Sequence, residues 1–195
     1  MDPTIQQLYQ AYANIVELCR RKGINNVVLA PGSRSAPLAI AFFRNEAIQK
    51  YIVPDERAAG FTALGMVQAT HEPVALVSTS GTASLNYGPA IAEAYFQQLP
   101  LVAFTADRPP EWLGQQENQT IYQEGIYGPN LKKEFHLPVD WDHDEAAWNG
   151  YHQINEALNL AVISNQGPVH INAPFREPFY PKAASIRCPR TFYYS

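Results

Sequence analysis

The four residues Val27-Val28-Leu29-Ala30, closed by Pro31-Gly32, constrain the fold of this chain more than any other feature. So short and unbroken an apolar run, ended by a turn signal, reads as a strand covered on both faces, and such strands belong to parallel sheets flanked by helices. The flanking sequence agrees. Upstream, Ile5, Leu8, Tyr12, Ile15 and Leu18 recur at three- and four-residue steps between Pro3 and Lys22, with Gly23 as a stop, which predicts an amphipathic helix. Downstream the pattern alternates. Helices are expected near Pro37 to Asn45, Arg57 to Thr70, Ala83 to Gln97 and Asp144 to Ile163; strands near Tyr51 to Val53, Val74 to Ser78, Leu101 to Thr105, Glu134 to Leu137 and Val169 to Asn172. Asp107 to Asn130 reads as irregular. The fold class this specifies is α/β: a doubly wound, mainly parallel sheet with helices on both faces.

A chain of 195 residues with 46% hydrophobic and 16% charged content fills one domain well and two poorly. Its formal charge of -4, with Lys and Arg scattered, leaves no electrostatic footprint for nucleic acid. No apolar run approaches the roughly 20 residues that cross a bilayer, and Met1 to Gln10 lacks the order of a secretory signal. No membrane insertion and a cytoplasmic location are therefore expected. Cys19 and Cys188 stand outside any ligand spacing and are expected to be reduced and structural. The histidines form no HExxH pair, and neither GxxxxGK nor GxSxG occurs, which sets zinc-hydrolase, P-loop and serine-hydrolase chemistry aside. The acidic run Asp140 to Glu145 reads as a capped, solvated helix start and not a metal site, so no metal ligand is assigned. Beyond Pro174 the text PFREPFYPKAAS reads as an extended arm or interdomain linker.

Ligands of open α/β sheets bind beyond the carboxyl ends of the strands. Here those ends carry Pro31-Gly32-Ser33-Arg34-Ser35, Pro54-Asp55-Glu56-Arg57, Thr79-Ser80-Gly81-Thr82 and Ala106-Asp107-Arg108-Pro109-Pro110. Each has an ordinary explanation when taken singly. The first could be a turn and helix cap, the second a pair of acids favoured by a helix dipole, the third a tight turn and cap, and the fourth a local Asp107–Arg108 ion pair. Four such ends on one rim mark a candidate site.

The order and wording of these segments resemble one family. LAPGSRSAPLAIA, PDERAAGFTALG, STSGTASLNYGPAIAEA, FTADRPPE, ENQT and HINAPFREP are similar to the amino-terminal, pyrimidine-binding (PYR) domain of the MenD family of thiamine-diphosphate enzymes, the 2-succinyl-5-enolpyruvyl-6-hydroxy-3-cyclohexene-1-carboxylate synthases. The likeness runs from Tyr12 to Tyr180 and is weak between Tyr122 and Trp148. PGSRS and TADRPPE are its specific parts, since DER with SGT would fit the wider thiamine-diphosphate family. It implies a PYR domain over residues 1–180 and the start of an interdomain linker over 181–195, with the remaining domains absent from this sequence.

The resemblance implies thiamine diphosphate as cofactor and Glu56 as the catalytic residue, hydrogen-bonded to N1′ of the aminopyrimidine. Pro31, Thr82 and Asn86 would line the cofactor pocket or the facing subunit. Ser33, Arg34, Arg108 and Gln119 match substrate-binding positions, and guanidinium groups suit substrates that carry carboxylates. The reaction implied is decarboxylation of 2-oxoglutarate and addition of the resulting succinic semialdehyde carbanion to isochorismate, in menaquinone biosynthesis. The family holds the diphosphate through Mg²⁺ or Mn²⁺ on a separate domain with a GDG motif, which this sequence lacks. The chain would thus supply half a site, shared between subunits of a homodimer or homotetramer, and would be inactive alone. The rival readings are the pyrimidine domain of an acetolactate-synthase-like 2-oxoacid decarboxylase, and a non-catalytic α/β domain for oligomerisation or ligand binding.

Overall fold

The apolar runs form the centre of one sheet, with the more polar strands QKYI and KEFH at its two edges. In the computed structural model, which describes residues 3–180 except 164 and 178, the strands are β1 (Asn26–Leu29), β2 (Gln49–Ile52), β3 (Val74–Ser78), β4 (Leu101–Asp107), β5 (Lys133–His136) and β6 (Val169–Pro174). They pair in parallel throughout, in the order β2-β1-β3-β4-β6-β5. The helices are α1 (Pro3–Arg21), α2 (Ala36–Arg44), α3 (Glu56–Thr70), α4 (Thr82–Leu85), α5 (Gly88–Phe96) and α6 (Asp144–Val162), with a 3₁₀ turn at Pro110–Trp112.

Alternate strand residues feed two cores. Val27, Leu29, Val77 and Phe104 join a cluster with α1, α2 and α6, while Val28, Leu76, Leu101 and Ala103 join one with α3 and α5. Most of these side chains are fully buried, and burying one of that size stabilises by roughly 1.5–3 kcal/mol relative to exposure.

One expected helix, Ala83 to Gln97, is in fact two. Pro89 has no N–H to give the Leu85 carbonyl, and its ring would collide with that group, so α4 stops at Leu85. Helix α5 restarts at Gly88 with the proline in its first turn, where the missing donor is not needed. The acidic run does begin a helix, with Asp144 and Glu145 in the first turn of α6, but the cap residue His143 makes no side-chain cap bond. The dipole, not a side-chain cap, favours those charges. Cys19 is free and buried. Cys188 and the expected linker lie outside the described residues. Among the described helices none is long and apolar enough to cross a membrane.

The strand order reverses twice. The chain lays β2 on one side of β1 and β3 on the other; later, β6 inserts between β4 and the edge strand β5. Loops that leave a sheet at such a reversal diverge and open a crevice at the carboxyl ends.

Candidate functional site

At the first crevice the loop after β1 lies against the loop after β3. A Cβ on Gly32 would stand 2.3 Å from Thr79 Cβ, so only glycine allows this approach. Gly81 has φ +80, and a Cβ there would lie 2.7 Å from the Gln119 carbonyl. Ser80 Oγ donates to that carbonyl at 3.1 Å, which pins the irregular stretch after β4 onto the SGT loop. Neither loop uses the side-chain cap expected of it. Ser35 turns back to donate to the Gly32 carbonyl at 3.0 Å, and Gly81, which precedes α4, has no side chain to cap with.

Glu56 is the first residue of α3. Asp55 before it accepts the Ala58 N–H at 2.7 Å, so the neighbouring acid satisfies the helix end. Glu56 is left half-buried, with no hydrogen-bond or ion-pair partner for its carboxylate among the described residues. The SGT side of the rim is close by. Tyr87, whose hydroxyl donates to the Val77 carbonyl at 2.7 Å, is driven well above its ordinary pKa by burial first, then by Tyr127 and by the Glu56 charge. Thr82, the first residue of α4, and Asn86, the cap after its last, are both exposed, and Asn86 Nδ2 donates to the Thr82 carbonyl at 3.0 Å. Pro31 is exposed as well.

The arginines are held differently. Arg34 is buried: Nη1 donates to the Phe175 carbonyl at 2.9 Å and Nη2 to Glu177 Oε1 at 2.7 Å, while the guanidinium lies 5.4 Å from the centre of the Phe179 ring. Ser33 Oγ is 2.6 Å from the Tyr180 hydroxyl. Arg108 Nη2 donates to the Asn118 carbonyl at 2.7 Å, and its buried Nε has no partner among the described residues. Burial lowers the Arg34 pKa, the Arg108 charge lowers it further, and Glu177 and Asp107 oppose both, so the two cations stand close enough to repel.

The local Asp107–Arg108 side-chain pair expected from the sequence does not form. Asp107 Oδ1 accepts the Arg108 backbone N–H at 2.7 Å and Oδ2 accepts Asn172 Nδ2 at 2.8 Å, and the guanidinium turns instead to the Asn118 carbonyl and to the Glu117 carboxylate, 3.9 Å from Nη1. Burial outweighs those two bonds and pushes the Asp107 carboxyl up. Gln119, also expected at the site, has an exposed side chain at φ +56 above the SGT loop.

Sequence reasoning missed a buried polar hub at the second crevice. Gln123 is 0% exposed; its Oε1 accepts the Gly81 N–H at 2.8 Å and its Nε2 donates to Asn172 Oδ1 at 2.8 Å and the Ala106 carbonyl at 3.1 Å. Thr105 Oγ1 lies 2.6 Å from His170 Nε2, whose other ring nitrogen is 3.1 Å from Glu134 Oε1 without the alignment of a hydrogen bond. Burial lowers the His170 pKa against the opposing pull of Glu134. A signal existed for part of this: Thr105 and Asp107 on β4, and His170 and Asn172 on β6, are polar at alternate positions and so share a face, with Thr105 and Asn172 paired in register. Gln123 sits in a polar stretch and carried no such signal.

Residues 10–126 match the family of the thiamine pyrophosphate enzyme, N-terminal TPP binding domain. The chain belongs to this family. Relatives named 2-succinyl-5-enolpyruvyl-6-hydroxy-3-cyclohexene-1-carboxylate synthase include one from Cytophaga hutchinsonii, 50% identical over 173 residues that make up 89% of this chain and 31% of the relative. Another, from Porphyromonas gingivalis, is 51% identical over 166 residues, 85% of this chain and 29% of its own length. A third, from Flavobacterium johnsoniae, is 43% identical over 173 residues, 89% and 30%. The chain thus spans about a third of the length of these curated relatives. The thiamine pyrophosphate enzyme match takes in Glu56, both arginines, Gln119 and Gln123; the arm that holds Arg34 and Ser33 lies beyond it.

Proposed function

We propose that this chain forms the aminopyrimidine side of the site in a thiamine-diphosphate-dependent synthase that decarboxylates 2-oxoglutarate and joins the remaining fragment to isochorismate. The observation that carries the reading is Glu56, a half-buried carboxylate at a strand end with no partner among the described residues. A polar group taken partly out of water without a partner is costly, and a ligand nitrogen that shares a proton with it removes the cost. The residues therefore fit the cofactor's pyrimidine ring.

When bound, the cofactor supplies the carbon nucleophile; the protein's part is orientation and proton placement. Glu56 holds a proton at N1′ of the ring, and Asp55 keeps the turn that presents it. Pro31, Thr82 and Asn86 are exposed on the same rim and form the wall toward the ring or toward a second subunit. Arg34 and Arg108 hold substrate carboxylates through charge-assisted hydrogen bonds, with Ser33 and Gln119 as neutral partners. The mutual repulsion of the two guanidiniums supports this assignment, because an anion between them relieves it. The divalent metal, Mg²⁺ or Mn²⁺, and the diphosphate belong in this reading to another domain, contributed across a subunit interface.

The test is an assay of the full-length enzyme with 2-oxoglutarate and isochorismate against pyruvate alone. Turnover that requires both substrates is expected. Turnover of pyruvate without dependence on isochorismate would overturn the assignment in favour of an acetolactate-synthase-like enzyme.

A further inference from the structure

The segment that follows β6 grips two polar side chains of the loop that follows β1, Ser33 and Arg34. Glu177 accepts from Arg34 Nη2 and the Phe175 carbonyl accepts from Nη1, at 2.7 and 2.9 Å, so two anchors fix the guanidinium plane and the Phe179 ring flanks it. The Tyr180 hydroxyl meets Ser33 Oγ at 2.6 Å. The arm is itself tied down, because the buried Tyr9 hydroxyl of α1 donates to the Phe179 carbonyl at 2.6 Å.

Arg34 is 7% exposed and is repelled by Arg108. A cation in such a place needs a counter-charge, since removing one partner of a buried pair leaves the other uncompensated. Among the described residues Glu177 is the carboxylate that hydrogen-bonds it, and it does so through one terminal nitrogen only. A guanidinium has five donors, so a single-nitrogen grip leaves part of the fork for a second carboxylate. A side chain already fixed in place also loses less rotamer freedom when its ligand arrives.

We propose that Glu177 is a positioning residue that aims Arg34 at the substrate carboxylate, with Tyr180 doing the same for the Ser33 hydroxyl. The inference rests on the reading of Arg34 as a substrate-binding residue. Its opposite is a Glu177 that competes with substrate for Arg34, and the two predict effects of opposite sign.

The test uses the full-length, cofactor-loaded enzyme as wild type, Glu177→Ala, Glu177→Gln, Arg34→Ala and the Arg34→Ala/Glu177→Ala double variant. KM and kcat are measured with isochorismate, thiamine diphosphate affinity by fluorescence titration, and binding of succinate, a carboxylate that the reaction does not consume, by calorimetry. Glu177→Ala is expected to raise the KM for isochorismate and weaken succinate roughly tenfold, with the larger part of the effect in KM and not kcat. Glu177→Gln, which keeps an acceptor without the charge, should fall between wild type and Glu177→Ala, and it carries the comparison if the alanine variant does not fold. On the Arg34→Ala background, Glu177→Ala should add nothing. Tyr180→Phe should raise KM by about threefold. Unchanged KM, additive losses in the double variant, equal loss of cofactor affinity, or tighter binding by Glu177→Ala would each overturn the proposal. If the wild type binds succinate but does not use isochorismate, the substrate assignment falls and the succinate series alone decides the role of Glu177; if it binds neither, both fall.

Discussion

Glu56 and Arg34 leave neighbouring strands of the sheet, β2 and β1, yet they are prepared in opposite ways. The acid is set by contacts within its own turn: Asp55 caps α3, and no hydrogen bond or ion pair from the described residues reaches the Glu56 carboxylate. The base is set by residues 141 and 143 positions away, and it is buried under the arm that brings them. Under the proposed function the contrast has a reason: a group that is to share a proton with a ligand has to keep its bonding capacity open. One that must grip an anion gains from being fixed beforehand, because its entropy is lost before binding.

Glu56→Gln in the full-length enzyme should produce the largest effect, since it removes the group proposed to share the proton while keeping its shape. A fall in kcat of about 10³-fold is expected with an unchanged melting temperature. Wild-type turnover by that variant would break the contrast at its acidic end. Arg108→Ala comes next, with kcat/KM down roughly 30-fold, equivalent to about 2 kcal/mol, and cofactor affinity retained. If cofactor affinity fell equally, the division between an acidic cofactor side and a basic substrate side would be lost.

Gly81→Ala acts between the two halves. Its φ of +80 and the 2.7 Å approach of the Gln119 carbonyl leave no room for a methyl group, and urea unfolding should show a loss of about 2 kcal/mol. A loss under a few tenths of that would mean that the 115–124 stretch is not seated on the SGT loop. Tyr9→Phe should have the smallest effect, about 1 kcal/mol, through the hydroxyl that anchors the arm. Burial, together with Tyr180 and against the opposing charge of Arg44, lifts the Tyr9 pKa from 10.0 to about 12. Because the folded value is the higher one, the stability it contributes is present in full below pH 10 and fades as pH rises toward 12. Urea midpoints at pH 8, 10 and 11 should therefore fall less steeply in Tyr9→Phe than in the wild type, and identical slopes would show that the arm is not held at this point.

The acidic half of the rim was largely legible in the sequence. The neighbouring strand β3 is an almost continuous apolar run, whereas β2, which leads to the acid, is a mostly exposed edge strand; the cap is the residue before the helix, and Glu56 follows directly. The basic half was legible only as residue types. That Arg34 and Arg108 belong together was visible in their positions after β1 and β4, but not that Arg34 is covered, nor that Asp107 turns to Asn172 and the Arg108 backbone instead of the Arg108 side chain. Pro89 was in plain view, yet the surrounding apolar period favoured one helix over two.

What the sequence by itself determined is whatever short-range physics controls: the two periodicities that make an α/β sheet, the strand ends that carry polar loops, and the acid beside its cap. What only the tertiary structure decided is which distant groups meet at those ends. Gln123 became a hub and Glu177 became the partner of Arg34 because the order β3-β4-β6 and the arm after β6 bring them there. A buried polar group takes whichever partner the chain path supplies, and no local pattern encodes a path closed over some 140 residues.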